Sequence, residues 1–207
     1  LIEECVAENI TLYFNTNASR VPNDEWWHIM SQFKALDFQL SLDGVEEQFE
    51  YQRYPAKWKD VLKFREWIKN KSKVMPIRYG IIVTVNTINI WYLPEMIDYF
   101  TKYKKKEVLT HHPEYLWNPN ILKRLVAVED HVYLNTVSYP NYYCIQNIPD
   151  KLKRVVDDKL MQSKHNIKFK EIVKFMWLKS DKKLEWDKFL SWTKRHDKYR
   201  KESFADT

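Results

Sequence analysis

Glycine is almost absent from this chain. Gly44 and Gly80 are the two in 207 residues, about 1% where roughly 7% is usual. That scarcity excludes a glycine-rich phosphate cradle of the P-loop or dinucleotide type within these residues. Cysteine is equally sparse. Cys5 and Cys144 stand 139 positions apart, which makes neither a disulfide framework nor a metal spacing. They read as two reduced thiols of an intracellular, cytoplasmic protein. No apolar run approaches the roughly 18 residues that span a bilayer, so no membrane partner is expected. No signal peptide is visible, and the chain contains no nucleophile elbow, no HExxH and no solenoid repeat.

What is present is uneven charge. Residues 1–150 carry 17 Lys/Arg against 19 Asp/Glu, net −2, whereas residues 151–207 carry 17 against 9, net +8. The basic C-terminal part reads as a solvated helical face, or as a surface for nucleic acid or an acidic partner. The Trp and Phe stripe there (Phe175, Trp177, Trp186, Phe189, Trp192) reads as core ahead of a base-stacking platform.

Strands and helices alternate along the first 148 residues. Strands are predicted at 10–17, 36–43, 77–86 and 131–137. A helix starts at Pro22-Asn23-Asp24 and runs through EWWHIMSQF. AKWKDVLKFREWIKNK (56–71) has helical apolar spacing, and LPEMIDYFTKY is a helix with Pro94 in its first turn. Residues 104–130, with a Lys triplet at 104–106 and then HHPEYLWNP, read as a long loop or insertion, within which ILKRLVAV reads as a short helix or a strand. The histidines are loop residues ahead of metal ligands. From Pro149 onward everything reads as helix, giving a second, helical region over 149–207. Strand–helix alternation means parallel pairing and an α/β fold, a partial (β/α) barrel followed by helices.

Parallel strands buried on both faces usually read as continuous apolar runs. These do not. In FQLSLDG (38–44), Phe38, Leu40 and Leu42 alternate with Gln39, Ser41 and Asp43. The other three strands split the same way, with polarity growing toward their carboxyl ends, where parallel α/β folds hold ligands. The polar file is therefore expected to face a lumen or cleft. Asp43 and Ser41 share a face. Asp43 suits a ribose diol, an amine or an arginine, or else caps the next element. Arg53 suits a carboxylate or phosphate by its bidentate fork, or pairs with Glu46, Glu47 or Glu50. Asn15, Asn17, Asn86 and Asn135 at four strand ends exceed what turn chemistry alone predicts.

NTNAS (15–19), SLDG (41–44), EYQRYPAKW (50–58), VTVNTINIWYLPEM (83–96), LNTVSYPNYYCIQNIPDKLK (134–153) and RHDKYRKESFADT (195–207) resemble successive landmarks of radical S-adenosylmethionine proteins with a twitch-type C-terminal region. The resemblance implies that residues 1–148 are the C-terminal part of a six-stranded (β/α) barrel. It also implies a [4Fe-4S] cluster and S-adenosylmethionine in the complete protein, generating a 5′-deoxyadenosyl radical that abstracts hydrogen from a peptide or small-molecule substrate. Ser41 and Arg53 are implied as contacts to the adenosylmethionine. Asp43, Asn15 and Asn17 fall on the cofactor side, and Asn86 and Asn135 nearer the adenine or substrate. The CxxxCxxC and Gly-Gly-Glu-Pro segments of that family are absent, and Ala18 stands where glycine is common. The chain is therefore expected to be a fragment that holds no cluster by itself.

Overall fold

The computed structural model describes residues 6–104, 126–129, 132–178 and 182–204. Cys5, His111-His112, His131 and most of the 104–130 stretch lie outside the described residues. The order of elements is β1 (Thr11–Thr16), α1 (Asp24–Met30), β2 (Ala35–Ser41), α2 (Glu46–Gln52), α3 (Trp58–Lys71), β3 (Ile77–Val85), α4 (Leu93–Lys104), β4 (Val126–Glu129) and β5 (Val132–Thr136). Three helices follow, α5 (Asp150–Gln162), α6 (Asn166–Met176) and α7 (Lys182–Arg200). None of these helices is long and apolar enough to cross a membrane.

The sheet is open and runs β1-β2-β3-β5-β4. Its first four strands are parallel, as the strand–helix alternation requires. β4 is the exception: it pairs antiparallel with β5, at the edge. It overlaps ILKRLVAV, which read as a short helix or a strand, and the strand is the alternative formed; its four residues are too few to show a period.

Local signals set several element ends. Asn23 caps α1 by accepting from the Trp26 amide at 2.8 Å, satisfying one of the amides a helix start leaves unpaired. α1 stops three residues short of the predicted Phe33. The Ser31 hydroxyl and the Gln32 side-chain amide both donate to the His28 carbonyl, at 3.1 Å each, so side chains replace the next helical bond. α2 was not anticipated. It is only seven residues long and has no side-chain cap.

Register aligns the two files across strands. Leu36, Phe38 and Leu40 pair laterally with Leu12, Phe14 and Thr16 on β1, and with Ile77, Tyr79 and Ile81 on β3. This face is the buried one. Phe38 lies 5.4 Å from Phe14, 6.4 Å from Trp26 of α1, and 5.5 and 6.1 Å from Phe64 and Trp67 of α3. Met96, Ile97 and Phe100 of α4 join the same buried cluster, and so do Val156, Leu160, Phe169, Ile172 and Met176 of α5 and α6. The helical region thus shares its core with the sheet region. The aromatic stripe is core only in part. Phe189 is 2% exposed, but Trp177 and Trp192 are 38% and 37% exposed.

The opposite face carries Tyr13, Asp37 and Arg78 in one lateral row, Asn15, Gln39 and Gly80 in the next, then Ser41, Ile82 and Tyr133, and finally Thr84 beside Asn135. Gln39, Ser41, Thr84 and Asn135 are half-buried. Polarity does not simply grow toward the carboxyl ends. Asp37, near the start of β2, is 2% exposed, accepts from the Gln39 side-chain amide at 3.1 Å and lies 3.7 Å from Arg78 Nε. A buried carboxylate needs partners of this kind wherever it falls on the strand.

Candidate functional site

At the carboxyl ends of β2 and β3 a cavity of about 290 Å³ opens. Asp43, Gln52, Arg53, Thr84, Asn86 and Tyr143 line it, with Ile88 and Val137 as its apolar wall. Three of the predicted residues, Asp43, Arg53 and Asn86, meet here from three separate segments.

Asp43 is the hub. Its Oδ1 accepts from the Thr84 amide at 2.7 Å, and its Oδ2 forms an ion pair with Arg53 Nη2. Its backbone carbonyl accepts from Gln52 Nε2 at 2.7 Å and from Asn89 Nδ2 at 3.0 Å. Burial pushes the Asp43 carboxyl above the usual carboxylate range, while Arg53 and the Thr84 amide pull part of that rise back. Asp43 does not cap α2, whose N-cap is Val45. Arg53 likewise takes Asp43 as partner, not one of the three glutamates. One of those, Glu50, is used by Lys57 and the Trp58 amide, at 2.6 and 2.9 Å.

The ion pair leaves Arg53 with donors to spare. Its Nε is buried and donates to no described group. A buried N–H without an acceptor is uncommon. Burial also pushes the Tyr143 phenol upward, with Tyr142 adding to the rise, so Tyr143 faces the cavity as a neutral hydroxyl. The cavity can take a polar, anionic ligand group against Arg53, with Asp43 as an acceptor beside it.

The asparagines divide. Asn86 Oδ1 accepts from the Ile88 and Asn89 amides at 2.8 and 3.3 Å, and its Nδ2 donates to Gln52 Oε1 at 3.1 Å and to the Thr84 carbonyl at 3.0 Å. Asn17 Oδ1 accepts from the Ser19 amide and hydroxyl at 3.2 and 2.8 Å. Both are turn formers of the Asx kind, so turn chemistry accounts for two of the four. Asn15 is placed elsewhere, on a separate cavity of about 410 Å³ with Phe14, Trp26 and Phe38. Asn135 sits beside Thr84 on the polar face, and its Oδ1 is buried and accepts from no described donor. Ser41 is on that face too, beside Ile82, but does not line the 290 Å³ cavity.

Sequence reasoning missed Gln52, Thr84 as an amide donor, Asn89 and Tyr143. Asn89, 1% exposed, ties the ends of β2 and β3 together through the Asp43 and Thr84 carbonyls, at 3.0 Å each. An Asn-x-x-Asn pair closing a strand was its available signal. Cys144, behind Tyr143, is 4% exposed, and burial pushes its thiol upward. No group of three or more His, Cys, Asp or Glu residues suited to a metal occurs among the described residues. No family model, curated protein or solved structure matches this chain.

Proposed function

We propose that this chain is part of a radical S-adenosylmethionine enzyme and that the cavity beside Asp43 binds S-adenosylmethionine, with Arg53 on its carboxylate. The observation that carries the reading is Arg53 lining a polar cavity at the strand ends beside Asp43, with a buried Nε that donates to no described group. Two others support it. The parallel strands follow one another across the sheet in chain order. Crossovers of constant right hand then put their helices on one face and leave the other for a lumen, the arrangement of an arc of (β/α) barrel. Ala18, where the resembling family has glycine, is fully buried with φ 57°, in the left-handed region that glycine favours.

The cluster is a separate matter. A [4Fe-4S] cluster is held by several thiolates. Two cysteines are too few, and the described residues gather no metal-ligating group. The cluster does not fit the residues present, and on this reading its ligands belong to a part of the protein beyond these residues. CxxxCxxC followed by Gly-Gly-Glu-Pro is expected in the coding sequence upstream of Leu1. Its absence there would overturn the enzyme reading.

Calorimetric titration of the complete protein with S-adenosylmethionine tests the cavity. Arg53→Ala is expected to weaken binding roughly ten- to a hundredfold, the loss of one charge-assisted hydrogen bond. Ser41→Ala is expected to weaken it less, because Ser41 stands outside the cavity lining. Affinity unchanged by Arg53→Ala sinks the assignment.

One observation favours a second reading, a binding module for nucleic acid. Trp192 stacks on Tyr142 at 5.9 Å with planes 9° apart, and the Arg195 guanidinium lies 4.2 Å above Trp192. That makes an exposed basic aromatic surface on α7. Phosphate binding there predicts log affinity for duplex DNA falling with log salt at about −0.9 per phosphate contact. Gel shifts at several salt concentrations, compared with Arg195→Ala, measure the slope. Flat salt dependence, or no shift, removes this reading.

A further inference from the structure

Arg53 closes a short helix anchored in the core by Phe49, 0% exposed, and tied by Gln52 to the Asp43 carbonyl just past β2. α2 is seven residues long, lacks a side-chain cap, and is far below the length at which a helix persists unaided. Residues 197–204 add a further constraint at its last turn. Arg200 Nη1 donates to the Tyr51 carbonyl at 2.7 Å, and the Tyr51 hydroxyl donates to Asp197 Oδ1 at 2.8 Å. After α7 the chain turns back at Lys201, with φ 57°. The Glu202 amide then donates to the Asp197 carbonyl at 3.1 Å, and the Phe204 amide to Asp197 Oδ2 at 3.1 Å. The Phe204 ring comes to rest 5.8 Å from Tyr51 and 6.1 Å from Phe189. The Arg200 guanidinium also lies 4.7 Å above the Tyr54 ring. Residues on both sides of Arg53 are thus gripped by one arginine.

We propose that the end of α7 is a clamp that positions Arg53 for its ligand, with Arg200 and Asp197 acting through Tyr51 without touching the ligand. The inference rests on the reading of Arg53 as the carboxylate contact. A guanidinium binds a carboxylate well only when both its donors are aimed. Loosening the last turn of α2 therefore lowers affinity for a carboxylate-bearing ligand and spares one that lacks it.

The test compares the complete protein with its Arg200→Ala, Asp197→Asn, Tyr51→Phe and Arg200→Lys variants, using S-adenosylmethionine and decarboxylated S-adenosylmethionine as probes. Amide hydrogen exchange over residues 46–53 and thermal melts are followed alongside. Arg200→Ala is expected to weaken S-adenosylmethionine about tenfold, to leave the decarboxylated probe within about twofold, and to speed exchange in α2. Arg200→Lys should restore part of the loss, since lysine still offers a donor and a cation. Tyr51→Phe, which removes a single hydroxyl, gives the same selective loss in smaller measure should Arg200→Ala melt the protein. Equal loss of both probes, or faster α2 exchange with affinity unchanged, overturns the positioning role. Failure of the unsubstituted protein to bind either probe overturns the reading of the cavity instead. The exchange then decides the clamp: faster exchange confined to α2 supports it, and unchanged exchange ends it.

Discussion

Phe38→Ala is expected to lower stability by about 3–5 kcal/mol, the usual cost of deleting a large ring from a packed core. Gln39→Ala, one residue along, should change it by less than about 1 kcal/mol. The contrast follows from the pleat, which sends neighbouring side chains to opposite faces. Phe38 is 2% exposed and in ring contact with Phe14, Trp26, Phe64 and Trp67. Its removal leaves a hole between a strand and two helices, and rigid aromatic neighbours fill such a hole poorly. Gln39 is half-buried on the polar face, and its Oε1 accepts from no described donor. The side-chain bond to Asp37 is the loss to set against relief of that orphaned oxygen. Urea melts of the two variants measure the difference. Equal destabilisation would mean that both faces are closed core.

Gly44→Ala is expected to destabilise the protein by about 1–3 kcal/mol, the range for forcing extra volume into a packed site. It should also abolish tight ligand binding by displacing Arg53. A Cβ at Gly44 would stand 2.8 Å from the carbonyl carbon of Gln48 and 2.8 Å from the Phe49 amide nitrogen. Both atoms are backbone, so no side chain can swing aside, and α2 has to move. Gly44 is needed for this approach of chain to helix and not for its own φ, since neither glycine has a positive φ. The smaller conformational freedom of alanine in the unfolded chain offsets about 0.4–1 kcal/mol of the cost. Thermal melts beside titration check both halves. A variant that melts like the unsubstituted protein and keeps its affinity would show that α2 shifts without consequence for the cavity.

The two-faced strands were legible because their alternation is a period-2 signal of nine or fewer residues, and because helical segments between them leave only parallel pairing. β4 was legible only as one of two readings of ILKRLVAV, since four residues such as VAVE carry no period and their antiparallel partner is fixed by register alone. α2 was hidden for a related reason. Its seven residues are too few to show a helical period, and their contacts include the close approach of Gly44 on one side and Arg200, 147 residues beyond Arg53, on the other. The site residues were legible as types but not as partners. Asp43 and Arg53 stood out as charges near a strand end, yet whether Arg53 pairs with Asp43 or with a helix glutamate depends on which way α2 points. Asn17 and Asn86 illustrate the converse. An asparagine after a strand reads equally well as a ligand contact or as an Asx turn, and only hydrogen-bond geometry separates the two.

The distance along the chain between α2 and its clamp has a consequence during synthesis. The β1–β2 ladder joins Thr11 to Ala35, the β2–β3 ladder Leu36 to Ile77 and the β3–β5 ladder Ile81 to Val132. Each parallel ladder can therefore form as soon as its later strand has been made. Tyr51 and Asp197 are 146 residues apart. At about 5–20 residues per second, translation needs on the order of 7–30 s to deliver Asp197 after Tyr51. The sheet is complete once β5 has ended at Thr136, so for the last 61 residues, on the order of 3–12 s, the last turn of α2 can still lack its partners. The binding cavity is thus finished last, and a ribosome that stalls before α7 leaves a folded sheet whose arginine is not yet aimed.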